Sequence, residues 1–193
     1  MEELRKTNHV FPRADWDFED MLFDSGFILD IGGGGEGVIG KLMGEEVIAI
    51  DFKKEELLEA AEGPLKIIMD ARDLKFLDES FQTVTAFFSF MYFKGKSDQE
   101  KVFQEIARVL KPGGKFHLWD VDLGEMPETD KEFYIVFLRY SIRGEAKDTG
   151  YGMRWPTESR GINDYLKMAK TVGLKAEGSF QEGNTFYLGL VKD

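Results

Sequence analysis

The sequence predicts an α/β fold built on a mainly parallel seven-stranded sheet, with helices on both faces and a C-terminal antiparallel hairpin. Three observations carry that expectation. Short apolar runs alternate with helix-forming stretches, a glycine-rich bend follows the first such run, and the last two runs are separated only by Gln181-Glu182-Gly183-Asn184. The length of 193 residues suits one domain spanning 1–193.

Residues 1–25 are charged and aromatic, and Trp16, Phe18, Met21, Leu22 and Phe23 fall as on one helical face, predicting an N-terminal helical segment. Phe27 to Ile31 is a buried strand bounded by glycine, and Val38 to Met43 a helix packed close to it. Glu46 to Ile50 is the second strand, and Lys53 to Glu62 a helix stopped by Gly63-Pro64. Leu65 to Met69 and Thr83 to Phe88 are the third and fourth strands. Ser97-Asp98-Gln99-Glu100 has the form of a capped helix start, followed by Val102, Phe103, Ile106, Val109 and Leu110 at helical spacing. Lys111-Pro112-Gly113-Gly114 ends that helix, and Lys115 to Val121 is the fifth strand. Residues 122–158 break the rhythm as an insert on the substrate side, with a helix expected near Thr129 to Arg143. A helix over Glu158 to Val172 and the hairpin of Leu174–Phe180 with Thr185–Val191 complete the chain.

Composition narrows the function. The net charge of −11 sets the overall field against a phosphate backbone, so no nucleic-acid partner is expected. The longest nearly apolar run, Val84 to Phe93, is too short to span a bilayer, and the N-terminus lacks a secretory pattern. A cytoplasmic protein without membrane insertion is expected. Zero Cys removes disulfides and thiolate chemistry, and two His exclude a His-cluster metal site. Asp120 and Asp122 read as solvated turn residues more readily than as a divalent-metal pair, so no metal is expected.

The chemistry centres on Ile28-Leu29-Asp30-Ile31-Gly32-Gly33-Gly34-Gly35-Glu36-Gly37. A strand feeding a bare-backbone turn into a helix lets amide N–H groups approach a ligand. Asp51, at the end of the next strand, can accept both hydroxyls of a ribose. Gly32, Gly34 and Gly37 also satisfy the dinucleotide fingerprint, so the glycines alone leave a nicotinamide cofactor and S-adenosylmethionine both open. Asp30 favours the latter, because a carboxylate there repels phosphates and attracts ammonium and sulfonium charges. Asp70, ending the third strand, can accept a hydrogen bond from an adenine amine.

From these residues the chain resembles the class I S-adenosylmethionine-dependent methyltransferases, in the small-molecule branch of ubiquinone/menaquinone-biosynthesis-like enzymes (methyltransferase type 11). The resemblance covers roughly residues 27 to 121. It rests on Leu29-Asp30-Ile31-Gly32-Gly33-Gly34, Val47 to Asp51, Asp70-Ala71 with Leu74 and Phe76, Asp78 to Phe81, Ala86 to Met91 and Glu105 to Gly114. It implies a Rossmann-like class I methyltransferase fold, S-adenosylmethionine as cofactor with S-adenosylhomocysteine as product, and a small-molecule acceptor. By the resemblance, Asp30 and Gly32 contact the methionine portion, Gly34 lines the turn, and Asp51 holds the ribose. Phe52 lies against the adenine, Asp70 and Ala71 read its edge, and Ser89 borders the methionine end. Glu36 stands where the family's third glycine usually falls, and Gln82 follows Phe81 where Asp is usual.

Other readings stand beside these. Asp30 could cap a helix, Phe52 could be core, and Asp70 could be a turn residue like Asp73. His117 reads as a satisfied sheet histidine, His9 as part of a mobile N-terminus, and Phe87, Phe88 and Phe90 mostly as core. Tyr92, Tyr140, Tyr151, Arg154 and Trp155 are substrate-side candidates that surface packing explains equally well. No dedicated base is evident, so the catalytic residues are unassigned, and a homodimer covering exposed aromatics is compatible with the chain. The leading function is methyl transfer by in-line displacement. The alternatives are a cofactor-binding module without turnover and, less favoured, a nicotinamide-dependent oxidoreductase.

Overall fold

The computed structural model describes residues 2–19, 21 and 23–193. The central strand β3 (Ile28–Ile31) is buried along its whole length, as an unbroken apolar run in the middle of a parallel sheet should be. It pairs in parallel with β4 (Val47–Asp51) on one side and β6 (Phe81–Phe87) on the other. Strand β5 (Leu65–Ile68) extends the sheet beyond β4, and β7 (Leu110–Val121) beyond β6. The antiparallel pair β10 (Leu174–Glu182) and β11 (Thr185–Lys192) closes it, giving the order β10-β11-β7-β6-β3-β4-β5. The expected seven strands, their directions and the closing hairpin are all present.

Each face of the sheet carries its own core. Helix α4 (Lys96–Val109) packs Val102, Phe103 and Ile106 against one face, joined by Tyr165 and Met168 of α5 (Ile162–Thr171). On the other face, α2 (Val38–Met43) and α3 (Lys54–Glu59) contribute Val38, Ile39 and Leu57. Helix α4 begins at Lys96 behind Gly95 with no side-chain cap, so Ser97 does not play the capping part that its sequence suggests.

The largest departure is a second sheet. The expected N-terminal helical segment is helical only over α1 (Glu2–Thr7), and strands β1 (Asn8–Val10) and β2 (Ala14–Asp17) follow. Ala14, Trp16 and Phe18 alternate inward, which is strand periodicity, and Leu22 lies outside the described residues. His9 is held in β1 against Phe11 and Trp155, not on a free terminus. The helix expected near Thr129 to Arg143 is instead strand β8 (Phe133–Ile142). It turns through Arg143-Gly144, both at positive φ, into antiparallel β9 (Glu145–Arg154). That backbone is the two-residue hairpin turn whose twist matches its strands. Strands β1 and β2 pair with β8 in parallel, and β8 buries Tyr134, Val136, Leu138, Tyr140 and Ile142 over the α2 face of the main sheet.

Candidate functional site

Where the strand order reverses between β4, β3 and β6, parallel α/β sheets leave a crevice beyond their C-terminal ends. Here it is a cleft of about 710 Å³, walled below by the glycine bend after β3 and above by Thr149, Gly150 and Tyr151 of β9. All eight residues expected to touch a cofactor line it: Asp30, Gly32, Gly34, Asp51, Phe52, Asp70, Ala71 and Ser89.

The bend is bare for a steric reason. Gly32 has φ +71, where an L side chain is strained, and a Cβ there would run into the Ser89 side chain. A Cβ on Gly34 would fall 2.6 Å from Glu56 Cβ and 2.9 Å from Asp51 Oδ2. The amides of Gly32 and Gly33 bond the Ile50 carbonyl at 2.9 and 3.0 Å, which pins the bend to the end of β4. Ser89 donates to the Ile31 carbonyl at 2.8 Å and ties β6 to β3 at the same level.

The three strand-end carboxylates differ in environment. Asp30, 2% exposed, accepts a hydrogen bond from Thr85 at 2.7 Å beneath Gly33; burial pushes its pKa up to about 7 against that bond. Asp51 accepts the Lys53 amide at 2.9 Å and is raised by burial, with acceptor capacity left on the cleft side. Asp70 is gripped by Arg72, whose Nη2 donates to Oδ2 at 2.7 Å, and that bond holds the carboxyl below its ordinary range. Arg72 reaches Asp98 at 3.1 Å as well, so Asp70 sits in a braced turn. Phe52 is 68% exposed at the rim and is not core.

The substrate-side candidates divide. Tyr92 and Tyr151 line the cleft, and Tyr151 stacks on Phe88 with ring centroids 5.2 Å apart. Burial pushes the Tyr92 hydroxyl up to about 12. Tyr140 stands just behind the lining and bonds Glu36, which also binds Lys41; Lys41 Nζ lies 3.2 Å from the Tyr140 hydroxyl. Burial alone would raise Glu36, but the bonds from Lys41 and Tyr140 outweigh it and leave its pKa lowered. Arg154 and Trp155 are not in the cleft. Arg154 pairs with Glu132 at 3.1 Å over Phe133, and Trp155 packs with Phe11 and Tyr134, because the alternation of β9 and the chain beyond it turn them away.

One other sequence reading changes, and that for His117 holds. Asp120 is not a solvated turn residue: it is fully buried, accepts the amides of Met91 and Val121 at 3.1 and 2.8 Å, and braces the 3-10 turn Phe90–Tyr92. Asp122, close to the surface, accepts the Gly124 amide and a bond from Gln181. His117 is a satisfied sheet histidine, 2.8 Å from the Tyr187 hydroxyl, and burial pushes it down to about 4. Lys41, Lys53, Glu56, Glu59, Thr149 and Gly150 also line the cleft; they come from α2, from α3 and the residue before it, and from β9, whose faces carry no motif.

A parallel sheet with a glycine bend and acidic strand ends, closed by an antiparallel pair, defines the class I methyltransferase fold. Residues 29–118 match the family model described as a methyltransferase domain, over the stretch whose motifs carry the resemblance. The curated demethylmenaquinone methyltransferase of Thermotoga maritima is 35% identical over 92 residues, covering 46% of this chain and 37% of that protein. The chain thus matches little more than a third of that relative's length. Among solved structures, the PH0226 protein of Pyrococcus horikoshii superposes with a TM-score of 0.64 at 21% identity, covering 88% of this chain and 84% of that one. A SAM-dependent methyltransferase of Methanosarcina mazei superposes with a TM-score of 0.64 at 17% identity, covering 89% and 94%. At such identities these structures speak for the fold, which they share with this chain.

Proposed function

We propose that the protein transfers a methyl group from S-adenosylmethionine to a small-molecule acceptor. One observation carries the reading: Asp30, Asp51 and Asp70, in or just beyond neighbouring strands, edge a single cleft floored by bare backbone. The residues present fit a nucleoside donor. Gly34 leaves room for a ribose beside Asp51, the Asp70–Ala71 turn offers an adenine edge, and exposed Phe52 is free to lie on the ring. Asp30 and Ser89 face the methionine end, where a carboxylate suits a sulfonium.

When bound, S-adenosylmethionine supplies a methyl carbon whose bond to sulfur breaks with its electron pair staying on sulfur, as a lone pair of the acceptor takes the carbon and S-adenosylhomocysteine is left. The chain's own part is positioning. Holding the acceptor atom ~3–3.5 Å from that carbon, in line, supplies most of the rate effect. Phe87, Phe88 and Tyr151 keep water from the cleft and present an apolar wall to the acceptor. In this reading residues 1–193 act as one domain in the cytoplasm, and the second sheet forms the substrate side. No helix among the described residues is long and apolar enough to cross a membrane.

Calorimetric titration with S-adenosylhomocysteine tests the reading. Saturable micromolar binding is expected, weakened about tenfold or more by Asp51→Ala. Unchanged affinity in that variant would refute the ribose placement. A fluorescence titration with NADH separates the oxidoreductase alternative, which requires saturable NADH binding without S-adenosylmethionine binding.

A further inference from the structure

The roof of the cleft is the edge of a strand. The turn at Arg143-Gly144 makes Ile142 and Glu145 the first hydrogen-bonded pair of the β8–β9 hairpin, and such pairs alternate along an antiparallel ladder. Odd-numbered residues of β9 therefore bond β8, and even-numbered ones point their N–H and C=O away from it. Strand β8 keeps the same alternation: the carbonyls of Ile135 and Ser141 face its other edge, accepting from the amides of Phe11 and Phe18 at 3.0 and 3.1 Å. Among the even-numbered residues of β9 only Gly150 lines the cleft, and a glycine does so with backbone. Its N–H and C=O have no partner among the described residues. A Cβ at Gly150 would meet the Phe137 ring at 3.1 Å on the outer face of the second sheet, away from the cleft.

We propose that the methyl acceptor is an uncharged molecule bearing a carboxamide or lactam, and that the Gly150 N–H and C=O bind that group. This rests on reading the cleft as the donor site, and it names the class of the acceptor. Tyr151, the next residue, stacks on Phe88 at the end of β6, and Ser89 follows Phe88, so Gly150 overhangs the methyl-donating end of the cleft. The lysines lining the cleft are committed: Lys41 bonds Glu36, and Lys53 Nζ lies 3.4 Å from Glu56. An anionic acceptor therefore finds no free lysine among the described lining residues. A strand edge is matched by a neighbour that returns one acceptor and one donor side by side. A carboxamide does so with its C=O and the adjacent N–H, and Phe88, Tyr92 and Phe93 flank the same space. Because pairing with β8 already fixes this backbone, binding it costs little ordering entropy.

The test titrates benzamide and acetophenone, which differ in an amide NH2 against a methyl group, into protein saturated with S-adenosylhomocysteine, followed by NMR. Saturable benzamide binding is expected, with acetophenone weaker by about threefold or more for want of a donor to the Gly150 carbonyl. Gly150→Pro removes the N–H at an outward-pointing edge position that tolerates proline, while Gly150→Ala crowds Phe137 in the same way and keeps the N–H. Relative to Gly150→Ala, Gly150→Pro should weaken benzamide by about threefold or more and leave S-adenosylhomocysteine affinity unchanged. Equal binding of the two probes, equal benzamide binding by the two variants, or no saturable benzamide binding overturns the proposal. So does a loss of S-adenosylhomocysteine affinity confined to Gly150→Pro, which would give the edge to the donor. If Gly150→Pro does not fold, the parent's preference between the probes decides. Failure of the parent to bind S-adenosylhomocysteine would remove the donor reading itself and this proposal with it, whereas the other failures leave that reading standing.

Discussion

Replacing Gly34 by alanine probes the cleft floor without adding a charge or a polar group. The new Cβ would lie 2.6 Å from Glu56 Cβ, 2.9 Å from the Glu56 carbonyl carbon and 2.9 Å from Asp51 Oδ2. Two of these contacts involve the first turn of α3, which cannot rotate aside as a side-chain tip could, so the bend or the helix must move. Overpacking of this kind costs about 1–3 kcal/mol, which for a chain of this length lowers the melting temperature by about 2–12 °C. Displacing the Asp51 carboxylate also weakens its hydrogen bonds to a ribose, for a further loss of about tenfold or more in affinity for S-adenosylhomocysteine. Melting curves and calorimetry on the same preparation measure both effects. Gly178→Ala, where a Cβ meets nothing within 4 Å, serves as the control. If Gly34→Ala melts and binds like the parent, the packing of α3 under the bend is wrong.

Three further outcomes are expected. Asp30 has a folded-state pKa raised to about 7 from 3.8, so the stability of its neutral form is complete below the ordinary carboxylate range and is lost as pH rises through 7. Denaturant unfolding should therefore show the parent losing stability relative to Asp30→Asn between pH 5 and pH 8, in the range of that titration; a constant difference would contradict the burial argument. The same ionisation should raise the preference for the sulfonium donor over its neutral product as pH climbs through 7, and Asp30→Asn should flatten that dependence in calorimetry. Arg108 donates to Glu105, Asp78 and the carbonyls of Phe76 and Leu74, so Arg108→Met should destabilise by about 2 kcal/mol in denaturant titration through loss of the brace on residues 74–78. A change within about 0.5 kcal/mol, as for an ordinary surface site, would show that the brace contributes nothing.

The site-bearing part of the main sheet is legible because β3, β4 and β5 are short runs, with Gly32 following β3, Asp51 ending β4 and Asp70 just beyond β5. Asp30, Asp51 and Asp70 could be placed on one edge from their strand-end positions alone. The second sheet is ambiguous in the sequence. Phe133, Val136, Phe137 and Tyr140 satisfy helical spacing, while Tyr134, Val136, Leu138, Tyr140 and Ile142 satisfy alternation, and the latter set is the one that is buried. Arg143-Gly144 was the local signal that could have decided between them, since two residues at positive φ join strands and not helical turns. Strand β9 is mostly exposed and carries no apolar stripe, so its contribution of Thr149, Gly150 and Tyr151 to the cleft depends wholly on pairing with β8. Likewise Asp120 reads as a turn residue in sequence, and only the folded chain shows two backbone amides converging on it.

A crystal structure of the protein with S-adenosylhomocysteine bound would test the donor site most directly. The expected density has the ribose hydroxyls on Asp51, the adenine between Phe52 and the Asp70–Ala71 turn, and the thioether over the glycine bend facing Ser89. A ligand bound elsewhere, or one whose ribose stands away from Asp51, would contradict it.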